Sequence, residues 1–385
     1  MAGSRESARP AARDGVPAQS HLRNQAQAAM QAHPAVGTFT NKTVGITVAV
    51  SFALMAVLAA VVVLSSLFVI PPQAAAVVIP TPTALPTQPP TPFDPSVGTP
   101  LPNNRLILFY GIAYSQIDHN GPASIHPFSF LPQLQQLGKA WTAADPKHPA
   151  QLGLDLVVNV VDPCADGVVS TCSHNIQPSI IQAYIDYCQQ HNLYLFLDMQ
   201  FGRATIADVM SYYLPYFERY SFVEPAMDTE FHFYSTTQGI PSQDAGYIKA
   251  ADVNWAIQEF AKIPTAYHVP RKVLLLHEWF DGAISDISQV KANPDVSVVL
   301  HSDGFGGPAD KLVKYDLLVT QEAYKTGGAQ YGGFKLFNNY ADCPFPSVPG
   351  CSGDIPEWTP QDVLNPNLLV SGAKFAPVPL LISYE

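Results

Sequence analysis

The segment MDTEFHF holds two carboxylates one residue apart, Asp228 and Glu230. On an extended strand that spacing puts both on the same face. Two carboxyls held so close separate in pKa, one keeping its proton while the other ionises. Glycoside hydrolysis uses this division of labour: an acid protonates the leaving oxygen, and an anion assists at the sugar carbon or orients the substrate. Glu230 is therefore the candidate general acid and Asp228 its anionic partner. Polar residues recur at the ends of other apolar runs: Tyr110, Asp162, Asp198 with Gln200, His277 with Glu278, His301 with Asp303, and Glu385, while His232 follows the pair itself. Tyr110, Asp198, Gln200, His232, His277, Glu278, Asp303 and Glu385 are the candidate substrate-binding residues. Nearby aromatics (Phe109, Phe201, Phe231, Phe233, Trp279, Phe280) are sugar-stacking platforms or core packing. His232, His277, His301 and Asp303 also form a set able to ligate a divalent ion, though no H-E-x-x-H occurs. The glycosidase reading itself calls for no cofactor.

These residues need a scaffold that gathers strand ends. Apolar runs at 106–110, 154–161, 193–198, 222–227, 272–277, 296–301, 334–337 and 379–384 are candidate strands. Several are apolar without alternation, as in parallel strands buried on both faces. Helical patterns lie between them at 178–191, 206–213, 248–262 and 308–318. Eight strands alternating with helices make an α/β fold of the (β/α)8 TIM type, whose chemistry sits at the carboxyl ends of the strands. The given sequence ends one residue past the last run, so a closing helix is expected to be absent or replaced by a segment before the barrel. An open doubly wound sheet is the alternative, but no glycine-rich phosphate loop follows any strand, and no G-x-S-x-G elbow is present.

Residues 44–70 carry no charge, a longer apolar stretch than the roughly 20 residues that cross a bilayer as a helix. Residues 1–43 hold five basic residues against two acidic ones, and no Lys or Arg follows the span until Arg105. The positive-inside rule then puts the tail in the cytoplasm and the remainder outside the cell. The tail lacks apolar periodicity and reads as disordered. Residues 71–104 form a proline- and threonine-rich linker that favours extended polyproline II geometry. Residues 105–385 are the folded extracellular domain. The chain's net charge is −11, and the domain is more acidic than the whole because the tail is basic. An acidic domain argues against nucleic acid as a partner, leaving the lipid bilayer (through residues 44–70) and a glycan substrate. Cys164 with Cys172 and Cys343 with Cys351 are expected to form two local disulfides, which an oxidising compartment permits. Cys188 falls on the stripe of Ile180, Ile181, Tyr184 and Ile185 and reads as a free core thiol.

The D-x-E of Asp228 and Glu230 resembles the pattern at the fourth strand of family-18 chitinases and of glycosidase-type muramidases. The chitinase pattern has further aspartates where this chain has Val223 and Ala226. More broadly, the domain resembles largely uncharacterised exported glycoside-hydrolase-like barrel proteins, through AMDTEFHF, AADVNW, KVLLLHEW, VVLHSDGFG, GGFKLF, TPQDVL and the closing ISYE. The resemblance implies a membrane-anchored glycosidase-like barrel acting on cell-wall or environmental polysaccharide. The alternatives are a barrel that binds glycans without cleaving them and a metal-dependent hydrolase or deacetylase.

Overall fold

The computed structural model describes residues 94–113, 121–162, 164, 170–321, 331–337, 354 and 356–385. Among these, eight strands run parallel in one sheet: β1 Arg105–Ile112, β2 Ala150–Val161, β3 Tyr194–Met199, β4 Val223–Asp228, β5 Lys272–Glu278, β6 Val296–Ser302, β7 Tyr331–Leu336 and β8 Leu381–Tyr384. Each pairs with its neighbour in chain order, and β8 pairs back onto β1, with Leu106 opposite Leu381. The sheet is a closed barrel, and the expected (β/α)8 architecture holds. Every expected strand is present, with ends shifted by a few residues.

Helices α1 Leu131–Ala144, α2 Pro178–His191, α3 Ile206–Arg219, α4 Ala250–Tyr267, α5 Pro308–Tyr315 and α6 Pro360–Leu364 cover the outside. The pattern that marks α2 is its buried face of Ile181, Tyr184, Ile185 and Cys188. The Thr205 hydroxyl accepts from the Asp208 N–H and starts α3. Two helices run further than their apolar pattern indicated, through Pro215 in α3 and Pro264 in α4. Between β5 and β6 the outer layer is a single 3₁₀ turn, Ile287–Gln289. Near β8, the Trp141 indole of α1 donates to the Tyr384 hydroxyl at 2.8 Å, and α1 packs on α6.

Side-chain alternation divides the core in two. Outward residues such as Leu156, Leu197, Met227, Leu276, Val298 and Ile382 join the helices in one large apolar cluster. Inward residues of the barrel's amino-terminal half (Leu106, Leu108, Phe196, Ala226, Val273, Leu275, Val299 and Leu381) form a second cluster, with Leu101 packed among them. Each large side chain buried here contributes roughly 1.5–3 kcal/mol, so the lower barrel is a solid foundation rather than a pore.

One acid is set into that foundation. Glu224 on β4 accepts from the Val273 N–H at 2.8 Å. Burial pushes its carboxyl up to about 7, against the opposing pull of Lys272 and of that hydrogen bond. The folded state therefore binds a proton that the unfolded chain releases, and this contribution to stability is lost as pH rises from 4.5 towards 7. Glu224→Gln keeps an acceptor for the Val273 N–H and removes the titration. Urea unfolding across this window should show a pH slope flattened in the variant by up to about 3 kcal/mol relative to wild type.

Cys164 and Cys172 form the expected disulfide. One guanidinium nitrogen of Arg203 lies 3.3 Å from each sulfur. Cys188 is a buried free thiol. The pair Cys343 and Cys351 lies outside the described residues, as does the expected span at 44–70. Among the described residues no helix is long and apolar enough to cross a membrane.

Candidate active site

Above the apolar layer, alternation brings one further inward residue from each strand. Tyr110, Asp155, Asp198, Asp228, His277, His301, Lys335 and Ser383 stand two positions beyond Leu108, Gly153, Phe196, Ala226, Leu275, Val299, Gly333 and Leu381. All eight are buried. Glu230, Asp303 and Glu385 follow the ends of β4, β6 and β8.

Asp303 is the hub. Its carboxylate takes hydrogen bonds from Nδ1 of His277 at 3.1 and 3.2 Å, from Nδ1 of His301, and from Nζ of Lys335 at 3.3 Å. Lys335 also meets Glu385 Oε2 at 2.8 Å, and its ammonium lies 3.4 Å from the centre of the Tyr110 ring. His277 Nε2 faces Asp155 Oδ2 at 3.2 Å. His301 Nε2 lies 3.0 Å from the Ser383 hydroxyl. The imidazole of His301 needs room on β7: a Cβ added at Gly333 would come within 2.5 Å of its Cδ2.

The electrostatics follow from this geometry. Burial would raise the Asp303 carboxyl, but Lys335, His277 and His301 hold it well below the usual carboxylate range. Burial would strip His277 of its proton, but Asp303, Asp155 and Asp198 hold its pKa well above the ordinary value, so it is an imidazolium. His301 is pushed down by burial and stays neutral. As the neutral tautomer it donates from Nδ1 to Asp303 and accepts the Ser383 O–H at Nε2. Lys335 would also be lowered by burial, yet Glu385 and Asp303 raise it above the usual lysine range.

On the other side of the mouth the acids are under-neutralised. Glu230 is driven well above the usual glutamate range by burial, then by Asp228 and Asp303. Asp228 is raised less far: burial lifts it, while His277 and Lys335 pull it down. The two carboxyls share a hydrogen bond in which protonated Glu230 is the donor and Asp228 the acceptor. Asp228 also accepts from Gln200 Nε2 at 3.2 Å, and Gln200 Oε1 in turn takes the Val161 N–H at 3.0 Å. The i, i+2 argument on a continuous strand does not apply, because β4 ends at Asp228 and residues Thr229–Phe231 form a 3₁₀ turn. The turn brings the acids together by another route, held by the Thr229 hydroxyl donating to the His277 carbonyl at 2.6 Å.

No family model, curated protein or solved structure matches the chain.

Of the residues singled out in the sequence, Tyr110, Asp198, Gln200, Asp228, Glu230, His277, Asp303 and Glu385 thus gather at one mouth. Two go elsewhere. The His232 ring packs against Phe201 and Tyr234, and burial lowers its pKa to about 4, so it stays neutral in a separate neighbourhood that includes Asp252 and Lys249. Glu278 is fully buried, and alternation along β5 sets it on the sheet face opposite His277. Asp162 is paired with His174 at 2.9 Å on the surface. Among the aromatics, Phe109, Phe201 and Phe233 are core, whereas Trp279 at the end of β5 is 42% exposed. Phe305, just beyond β6, is 43% exposed and meets Phe337 edge-on.

Asp155, Lys335 and Ser383 were not singled out in the sequence. Asp155 had a signal, being the one charge in its strand. Lys335 and Ser383 had one only through their inward parity with Gly333 and Leu381. Asp303→Asn tests the hub. Leaving Lys335 and His277 buried without their shared anion should lower the unfolding free energy by about 3–5 kcal/mol. Adding Lys335→Met to that variant should recover part of the loss, as read by urea denaturation of the single and double variants.

Proposed function

We propose that the chain is a membrane-anchored extracellular glycosidase acting on cell-wall or environmental polysaccharide. Residues 44–70 would be its span, 1–43 its cytoplasmic tail and 71–104 its linker, the last part of which packs on the barrel through Leu101 and the Pro95 carbonyl. The observation that carries the reading is the buried pair Asp228 and Glu230 at the carboxyl end of a barrel strand, where burial, then Asp228 and Asp303, drive the Glu230 carboxyl well above the usual glutamate range. Glycosidic bonds need a proton delivered to the leaving oxygen, and a carboxylic acid that stays protonated near neutral pH supplies it. Asp228 takes the role of the anion: it orients Glu230 in the resting site and the substrate once Glu230 has turned to the glycosidic oxygen. Tyr110, Gln200 and Glu385 offer hydrogen-bonding groups in the same mouth, and the partly exposed Trp279 and Phe305, at the ends of neighbouring strands, offer aromatic surface to sugar rings. The resemblance of the Asp228–Glu230 segment to barrel enzymes for N-acetylated sugars points the same way. The acidic domain disfavours nucleic acid.

The test uses the full chain, expressed in an oxidising compartment and purified in detergent, against peptidoglycan, chitin and other bacterial and plant glycans. New reducing ends are expected from one glycan class, and Glu230→Gln should lower the rate by about 10²–10⁴-fold, the usual contribution of a general acid. A rate unchanged in Glu230→Gln would remove Glu230 from the mechanism. Because Glu230 acts in its protonated form, activity should fall on the alkaline side as Glu230 ionises, and that limb should vanish with the variant's residual rate.

A further inference from the structure

Two groups of side chains in the mouth have the composition of a metal site, and they differ in what their lone pairs already do. In the group of His277, His301 and Asp303, both Nδ1 atoms are spent on Asp303 and His301 Nε2 is spent on Ser383. That group is a finished hydrogen-bond network. In the group of Asp155, Asp198 and His277, the ligand atoms lie within 4.8 Å of one another, and the one contact among them is the ion pair of His277 Nε2 with Asp155 Oδ2. Both oxygens of Asp198, a fully buried residue, lack any hydrogen-bond partner, as do both oxygens of Asp155 and Nε2 of His277. The 3.2 Å approach of Nε2 to Asp155 Oδ2 is an ion-pair distance without hydrogen-bond alignment. A buried carboxyl without a partner is costly as an anion, so it must carry a proton or meet a cation.

We propose that Asp155, Asp198 and His277 bind a single first-row divalent cation of the zinc type, through one oxygen of each aspartate and Nε2 of the histidine. The arrangement behind the histidine is the one that metal sites use. Nδ1 of His277 is held by the Asp303 carboxylate, which fixes the tautomer and turns Nε2 toward the two aspartates. Asp303 is itself fixed by Lys335 and His301. The cation replaces the Nε2 proton of His277, which leaves to solvent. Three ligands drawn from β2, β3 and β5 are rigidly mounted, and nitrogen with carboxylate oxygen suits zinc better than calcium or magnesium. Three protein ligands leave positions for water or a substrate oxygen. The site shares no ligand with the Asp228–Glu230 pair, so metal binding can be counted whether or not the chain cleaves a glycan.

The untagged full-length chain, purified in detergent and stripped with a chelator, is loaded with Zn²⁺, and bound metal is counted by elemental analysis. A single Zn²⁺ per chain is expected. Asp198→Asn should weaken binding by more than about 100-fold, beyond the loss typical of an outer-shell change, whereas Glu230→Gln should bind as wild type does. In wild type loaded with Co²⁺, the Nδ1 proton of His277 should give an exchangeable, paramagnetically shifted NMR signal. That readout needs no variant to fold. Absence of stoichiometric metal in wild type, unchanged affinity in Asp198→Asn, or a Co²⁺-loaded protein with no shifted imidazole N–H would each overturn the proposal.

Discussion

The arrangement of the mouth depends on one anion, Asp303, held ionised inside a closed barrel by three donors. A buried carboxylate is tolerable only when cations and hydrogen bonds replace its lost water. Here His277, His301 and Lys335 do so from three different strands. That convergence fixes the rings and the ammonium, and it spends the positive charge of the mouth on one side. Glu230 has Asp228 and Asp303 as its charged neighbours and keeps a proton, whereas Asp198, within reach of His277, is left by its burial to a proton or a cation. The asymmetry separates an ionised Asp303 from a protonated Glu230, although both are buried carboxyls near the same strand ends.

Closure of the sheet makes the asymmetry rigid. Every inward polar residue stands directly above an inward apolar residue or glycine of its own strand, and the lower layer is packed with Leu, Val, Phe and Ala. A shift of one strand would turn its polar residue into the helix layer and its outward apolar neighbour into the mouth. Such a shift would break both layers, so the register that packs the foundation also aims the chemistry. Glycine at 333 shows how tight this coupling is, since the His301 ring occupies the space a side chain would need.

Much of this was legible in the sequence because the two layers leave a repeated pattern. Phe196-x-Asp198, Ala226-x-Asp228, Leu275-x-His277 and Val299-x-His301 each read as an apolar strand ending in a polar residue, and that pattern revealed both the barrel and most of the mouth. Gly333-x-Lys335 and Leu381-x-Ser383 carry the same parity. Lysine and serine in strands read as solvent-facing, however, and only the closed barrel turns them inward. Asp155 sits mid-strand because β2 begins earlier than its apolar run and extends across both layers. The assignment of Glu278 rested on its place at a strand end, and alternation separates it from its neighbour His277. His232 followed a turn whose direction sequence spacing does not encode. Asp228 and Glu230 came together for a reason other than the one their spacing gave, since a 3₁₀ turn replaced the strand.

The chemistry of the mouth turns on Glu230 keeping its proton beside Asp228 while Asp303 stays ionised. Carbon-13 NMR of the side-chain carboxyls in the full-length protein, assigned with Glu230→Gln and Asp303→Asn, measures both directly across an acid-to-neutral titration. The Glu230 signal is expected at the protonated shift at neutral pH, with Asp303 still ionised well below the ordinary aspartate range. A Glu230 carboxyl that titrates in the ordinary glutamate range would contradict the account, because nothing in the mouth would then hold the proton that the chemistry needs.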